Sequence, residues 1–181
     1  MSLVLSKTTT IKSKNIVNYN EHVIIKLHIS YNIKGRVMSV DQYTYKLAFY
    51  ETEKGNSPVL DFINELTKKA IKNKLSRKLN DKIELRLKSL RKSGTKEGMP
   101  HFDYITSSKY PLNEIRVAHN KDEYRILICP WNNNEGEHYF VLLHWFQKKT
   151  EKTHVKDIKL AESRMKSFLV IEGGSINENL G

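Results

Sequence analysis

Three stretches in the middle of the chain settle most of what it can fold into. Leu112 to Val117, Tyr124 to Pro130 and His138 to Phe146 each read as a strand, separated by His119-Asn120-Lys121-Asp122 and by Trp131 to Gly136. Parallel neighbours need a crossover of about a dozen residues or more, so links this short make the three an antiparallel meander. Alternation then sorts the side chains. Ile115 and Val117 share one face, with Glu114 and Arg116 on the other; Ile126 and Ile128 alternate with Arg125 and Leu127; Val141, Leu143 and Trp145 alternate with Leu142, His144 and Phe146.

The flanks carry helices and one more strand. Tyr43, Tyr45, Leu47 and Phe49 alternate, and Gly55-Asn56-Ser57-Pro58 breaks the pattern, with Ser57 suited to an N-cap and Pro58 to the first helical position. Val59, Phe62, Ile63 and Leu66 stripe one helix; Ile71, Leu75, Leu79, Ile83, Leu87 and Leu90 stripe a second, which Gly94 and Gly98 end. A last helix runs from about Val155 to Phe168, with Ile158, Ala161, Met165 and Phe168 on one face. The order predicts an α+β fold whose antiparallel sheet is covered on one side by helices. Residues 1–37 read as an N-terminal extension with six basic residues and one acid, and Met38 as the natural start, behind codons for Lys34-Gly35-Arg36-Val37 that can resemble a bacterial ribosome-binding site. Residues 38–170 form the expected domain, and 171–181, with Gly173-Gly174, a disordered tail.

Charge narrows the partner. The 181 residues hold 31 Lys and Arg against 20 Asp and Glu, a formal charge of +11. That excess suits an anionic partner, and twelve of the basic residues lie between Leu66 and Lys96 with only Asp81 and Glu84 as acids. Cys129 is the single cysteine, which excludes an internal disulfide and suits a reducing compartment. The longest apolar stretch, Tyr139 to Leu143, is too short for a bilayer, and Met1 to Lys7 shows no secretory signal, so a soluble cytoplasmic protein is expected.

On the face opposite the expected helices, Glu114, Arg116 and Arg125 line a shallow groove, with Tyr124 beside it and Lys148, Lys149 and Lys152 at its rim. Arginine holds two phosphate oxygens at once and lysine adds a point charge, so the set suits a phosphodiester. Cutting RNA without a metal means deprotonating the 2′-hydroxyl, stabilising the charge on phosphorus and protonating the leaving oxygen. Clustered cations do the second, and they lower one another's pKa so that a lysine can act as a base. Glu114 is either a general base or the salt-bridge partner of Arg116 or Arg125. His144 is either a catalyst or a packed strand histidine, and the lysines either serve the chemistry or cap the sheet. His138, His144 and His154 with Cys129 lack metal-ligand spacing, so no metal or other cofactor is expected.

In these residues the chain resembles the HigB branch of the RelE/ParE toxin superfamily, the phage-derived toxins of type II toxin–antitoxin pairs. The resemblance runs from Tyr45 to Phe168, through Phe49-Tyr50-Glu51, Gly55-Asn56-Ser57-Pro58-Val59, Asp61-Phe62-Ile63, Leu112-Asn113-Glu114-Ile115-Arg116 and Tyr124-Arg125-Ile126-Leu127. Its most specific piece is Leu142-Leu143-His144-Trp145-Phe146-Gln147-Lys148-Lys149-Thr150-Glu151-Lys152-Thr153. It implies a RelE-like fold, with a helical hairpin on one sheet face and a C-terminal helix, and a metal-independent endonuclease cutting mRNA in the ribosomal A site. It also implies a cognate helix-turn-helix antitoxin like HigA. Arg116, Arg125, Lys148, Lys149 and Lys152 would carry catalysis. The Thr-Pro that often closes the lysine motif is Thr153-His154 here, and the late tyrosine of RelE has no clear counterpart. Lys152, His154 and Tyr124 are the candidates for protonating the leaving oxygen. A ParE-like inhibitor of DNA gyrase and a degenerate nucleic-acid-binding member are the alternatives.

Overall fold

The computed structural model describes residues 43–148 and 155–178; the N-terminal extension, Lys149, Lys152 and His154 lie outside them. The elements are β1 (Lys46–Phe49), α1 (Pro58–Ala70), α2 (Lys74–Ser93), β2 (Phe102–Tyr104), β3 (Asn113–His119), β4 (Asp122–Asn132), β5 (His138–Lys148), α3 (Val155–Glu172) and β6 (Ser175–Ile176). They make a mixed α+β fold on one six-stranded sheet ordered β1-β5-β4-β3-β2, with β6 against β4. The meander is antiparallel, as its short turns require. The sheet as a whole is not: β1 runs parallel to β5, because the long path through α1 and α2 lets the chain return beside β1 in the same direction.

Helices cover both faces, not one. Ile115, Val117, Ile126, Ile128, Phe140 and Leu142 pack under α1 and α2, against Val59, Ile63, Leu79, Ile83, Leu87 and Leu90. Leu127, Cys129, Trp131, Val141 and Leu143 pack under α3, against Ile158, Ala161, Met165 and Phe168. Each fully buried Leu, Ile or Phe contributes about 1.5–3 kcal/mol, so both layers hold the sheet. Burial pushes the Cys129 thiol up to about 12. Among the described residues no helix is long and apolar enough to cross a membrane.

Local chemistry explains the departures from simple periodicity. Ser57 occupies the N-cap position, but its hydroxyl donates to the Tyr50 carbonyl (3.0 Å) and makes no side-chain cap. Asn73 caps α2 by accepting from the N–H groups of Leu75 (2.8 Å) and Ser76 (3.0 Å). That cap starts the helix at Lys74. Ile71 (72% exposed) is the C-cap of α1 and Leu75 (54% exposed) lies in the first turn of α2, so the buried stripe begins at Leu79.

In β5, Ile128 pairs with Leu142 but Leu127 with His144, leaving Leu143 as an extra residue. This bulge reverses the alternation, so Phe146 and Lys148 join the α3 face while Trp145 moves under α1, its ring stacked 3.8 Å from Phe62. The expected tail is in part built into the fold. Ile171 and Glu172 finish α3, Trp131 Nε1 donates to the Gly173 carbonyl (2.9 Å), and β6 pairs with Trp131 and Asn132. Gly174 makes this return possible: its φ is +74°, and a Cβ there would lie 2.2 Å from the Asn132 carbonyl.

Candidate functional site

Period-two geometry on four strands brings one ionic row onto the α3 face of the sheet. Asp103 of β2 is registered with Glu114, Arg116 with Arg125, Arg125 with Phe146, and Glu123 with Lys148. The contacts are continuous. Arg116 Nη2 pairs with Asp103, and its Nε donates to Glu114 Oε1 at 2.6 Å. The same Glu114 oxygen lies 3.4 Å from Arg125 Nε, Arg125 Nη2 pairs with Glu123, and Glu123 Oε2 lies 3.7 Å from Lys148 Nζ.

Three cations thus alternate with three carboxylates, which corrects the expected open cationic groove. The middle of the row is buried. Glu114 is 1% exposed and Arg125 3%, and charges so buried are held only when paired. Arg125 Nε is the one buried side-chain nitrogen among the described residues without a hydrogen bond, because its approach to Glu114 is an ion pair without hydrogen-bond geometry. Its Nη1 donates to the Tyr124 carbonyl (3.3 Å). The ends of the row are open: Asp103 and Glu123 are the carboxylates that solvent reaches.

Tyr124 does not join the row. Its neighbour Arg125 takes the α3 face, so Tyr124 points under α1, stacked 6.3 Å from Phe62, with its phenol pKa raised by burial and then by Asp122. His144 shares the face of the row but is committed to structure. Its Nε2 lies 3.0 Å from Asp157 Oδ1, and Arg164 Nη1 lies 3.1 Å from its Nδ1. Arginine can only donate, so Nδ1 accepts and Nε2 carries the proton toward Asp157. Burial holds the His144 pKa below the usual imidazole value, Asp157 opposes this, and Arg164 adds to it. Arg164 also donates to the Leu143 carbonyl (2.8 Å), fastening α3 to β5 at the bulge.

Sequence reasoning missed Asp103, Glu123, Asp157 and Arg164. Glu123 was legible, since two positions along a strand share a face with Arg125. Asp157 and Arg164 flank Ala161 on one helical stripe, so their contact with the strand below was legible too. Asp103 was not, because a three-residue strand shows no alternation. Away from the row, Lys74, Lys78, Lys88 and Lys92 form an exposed stripe along α2. That helix packs on the other sheet face, so the hairpin charge and the row are two separate surfaces. Among the described residues no group of three His, Cys, Asp or Glu is placed to hold a metal.

No curated protein matches the chain. The sequence profile of a family described as phage derived protein Gp49-like (DUF891) matches residues 72–166, from the turn before α2 into α3, and so takes in every member of the row. Toxins of this family are generally nucleases, and as halves of toxin–antitoxin systems they have an antitoxin partner. With more than half its length matched, the chain belongs to the phage-derived Gp49-like family of RelE/HigB-type toxins.

Proposed function

We propose that this toxin is a ribosome-dependent mRNA endonuclease acting in the cytoplasm, with the RelE-like arrangement and helix-turn-helix antitoxin that its HigB resemblance implies. The observation that carries the reading is the row itself: Arg116, Arg125 and Lys148 stand on three adjacent strands, on one face, where β5 runs out toward Lys149 and Lys152.

In this reading a phosphate enters by exchange. It displaces the exposed carboxylates of Asp103 and Glu123 into water and takes their places on Arg116, Arg125 and Lys148. Glu114 stays behind as the buried positioning residue that keeps the two guanidinium groups side by side. The 2′-oxygen attacks phosphorus as its proton passes to a base, and the P–O5′ bond breaks as that oxygen gains a proton. The products are a 2′,3′-cyclic phosphate and a 5′-hydroxyl. Lys149, Lys152 and His154 are the candidates for the two proton transfers, with Lys148 countering charge on the phosphorane. No step requires a metal.

Induced expression should arrest growth and create new mRNA 5′ ends inside translated frames, mapped by primer extension. Lys149→Ala should abolish both while the purified protein keeps its thermal unfolding midpoint. Arrest with unchanged mRNA ends overturns the nuclease, and arrest with a DNA-damage response instead would point to gyrase.

A further inference from the structure

Among the described residues three side chains carry sulfur, and only one of them meets solvent. Cys129 and Met165 are fully buried, and the Cys129 thiol, pushed up to about 12, supplies no thiolate. Met99 is 62% exposed. It stands in the turn between α2 and β2, which three backbone hydrogen bonds hold in place. The N–H groups of His101 (3.0 Å) and Phe102 (2.9 Å) donate to the Gly98 carbonyl, and the Arg116 N–H donates to the His101 carbonyl (2.8 Å). The last of these pins the turn to β3, beside an arginine of the ionic row.

Met99 touches that arginine where a phosphate would. Arg116 has three side-chain nitrogens and each is committed: Nε to Glu114, Nη2 to Asp103, and Nη1 to Met99 Sδ at 2.8 Å. Glu114 is buried and keeps Nε. The edge formed by Nη1 and Nη2 is what remains for a bidentate phosphate, and solvent reaches both of its occupants, Asp103 and Met99. Their grips differ. A carboxylate holds by charge, whereas a thioether is a weak acceptor that gives way at little cost.

Oxidation reverses that weakness. The Met99 sulfur attacks one oxygen of hydrogen peroxide; an S–O bond forms, the O–O bond breaks, and the other oxygen leaves as water while the thioether becomes a sulfoxide. The new oxygen is a polar acceptor one bond from a sulfur already against Nη1, and the flexible methionine chain lets it turn to the guanidinium. We infer that Met99 is a peroxide-sensitive modification site whose sulfoxide occupies Arg116 Nη1 and competes with phosphate, so that oxidant damps RNA binding until a sulfoxide reductase restores the thioether. This rests on the reading in which Arg116 takes the RNA phosphate, and adds regulation to it.

The test treats the full chain with hydrogen peroxide and maps it by peptide mass. Met99 should gain one oxygen while Met165 gains none; equal oxidation of both, or a Met99 that stays reduced, overturns the site. Binding of a short 2′-O-methyl RNA, which cannot be cut, is then followed by fluorescence anisotropy. Oxidation should weaken it about tenfold, and methionine sulfoxide reductase should restore it. Met99→Leu, which keeps the other three methionines, should abolish the response. Met99→Gln sets an amide oxygen close to the sulfoxide position and should weaken binding with no oxidant present. Affinity unchanged or tightened by Met99 oxidation, a response that persists in Met99→Leu, or Met99→Gln binding as tightly as the parent overturns the damping. New mRNA ends in cells report the nuclease separately. A peroxide response without them removes the nuclease and leaves the modification site; new ends without a peroxide response do the reverse.

Discussion

Replacing Glu114 by glutamine keeps the shape of the hub of the ionic row and removes one negative charge. Glu114 is 1% exposed, with Arg116 Nε at 2.6 Å and Arg125 Nε at 3.4 Å from one oxygen. Removing one partner of a buried pair costs about 3–5 kcal/mol. Here each guanidinium keeps a second carboxylate, Asp103 for Arg116 and Glu123 for Arg125. Because neither arginine is left without a counter-charge, the loss should sit near the lower bound, about 3 kcal/mol. For a domain of this size that is a fall of about 10 °C in Tm. Urea unfolding at neutral pH, with an unchanged m-value, measures it. A loss under about 1 kcal/mol would refute the idea that a buried carboxylate holds the arginines together. The same substitution leaves the row with a net positive charge. Single-stranded RNA should therefore bind the variant more tightly than the parent, with a salt slope steeper by up to about 0.7. Weaker RNA binding by a folded Glu114→Gln protein would sink the exchange of phosphate for carboxylate.

Two further outcomes follow from groups outside the row. The pKa of His144 is depressed by burial below the ordinary 6.5, so the unfolded chain binds its proton first and stability falls as pH drops from about 6.5 toward the folded value. His144→Gln should remove part of that acid-side loss while leaving the pH dependence of stability above pH 7 essentially unchanged; unfolding curves at several pH values that keep the full acid-side slope would reject the assignment. Gly174→Ala puts a methyl 2.2 Å from the Asn132 carbonyl and 2.5 Å from Trp131 Nε1 at a φ of +74°. A loss of about 2–4 kcal/mol is expected, with a changed near-ultraviolet signal from Trp131 and new proteolysis after α3; a change within about 0.5 kcal/mol would mean the closing turn is not tightly packed.

The meander, the hairpin and the last helix were legible because each is long enough for its period to show. What escaped notice had specific causes. The run Ile126 to Trp131 is buried at every position, which is the pattern of a strand covered on both faces; reading it as alternation hid the second helix layer. The bulge at Leu143 reverses the facing of Phe146 and Lys148, and no residue type at that point announces it. Arg116, Arg125 and Glu114 were assigned to one face correctly. The pairing of Glu114 with Arg116 or Arg125 was one of the two readings the sequence left open; the burial of the pair, with Asp103 and Glu123 as further partners, was not foreseen. Asp103 became visible only through pairing between β2 and β3.

The order of strands also bears on how this chain behaves when crowded. The two strands with the longest runs of backbone donors and acceptors, β4 and β5, lie inside the strand order, although β1 flanks only Tyr139–Leu142 of β5. Among the described residues the outermost strands are β1, with four residues, and β2, with three. Stacking into a cross-β ladder takes a segment of about six or seven residues, so neither end strand offers a template long enough to recruit a neighbour. The segment of template length at the rim is Leu143–Lys148 of β5, which β1 does not reach and with which no described strand pairs on that side. Resistance to aggregation in this fold should therefore depend on what covers that half of β5, and not on fraying of β1 or β2.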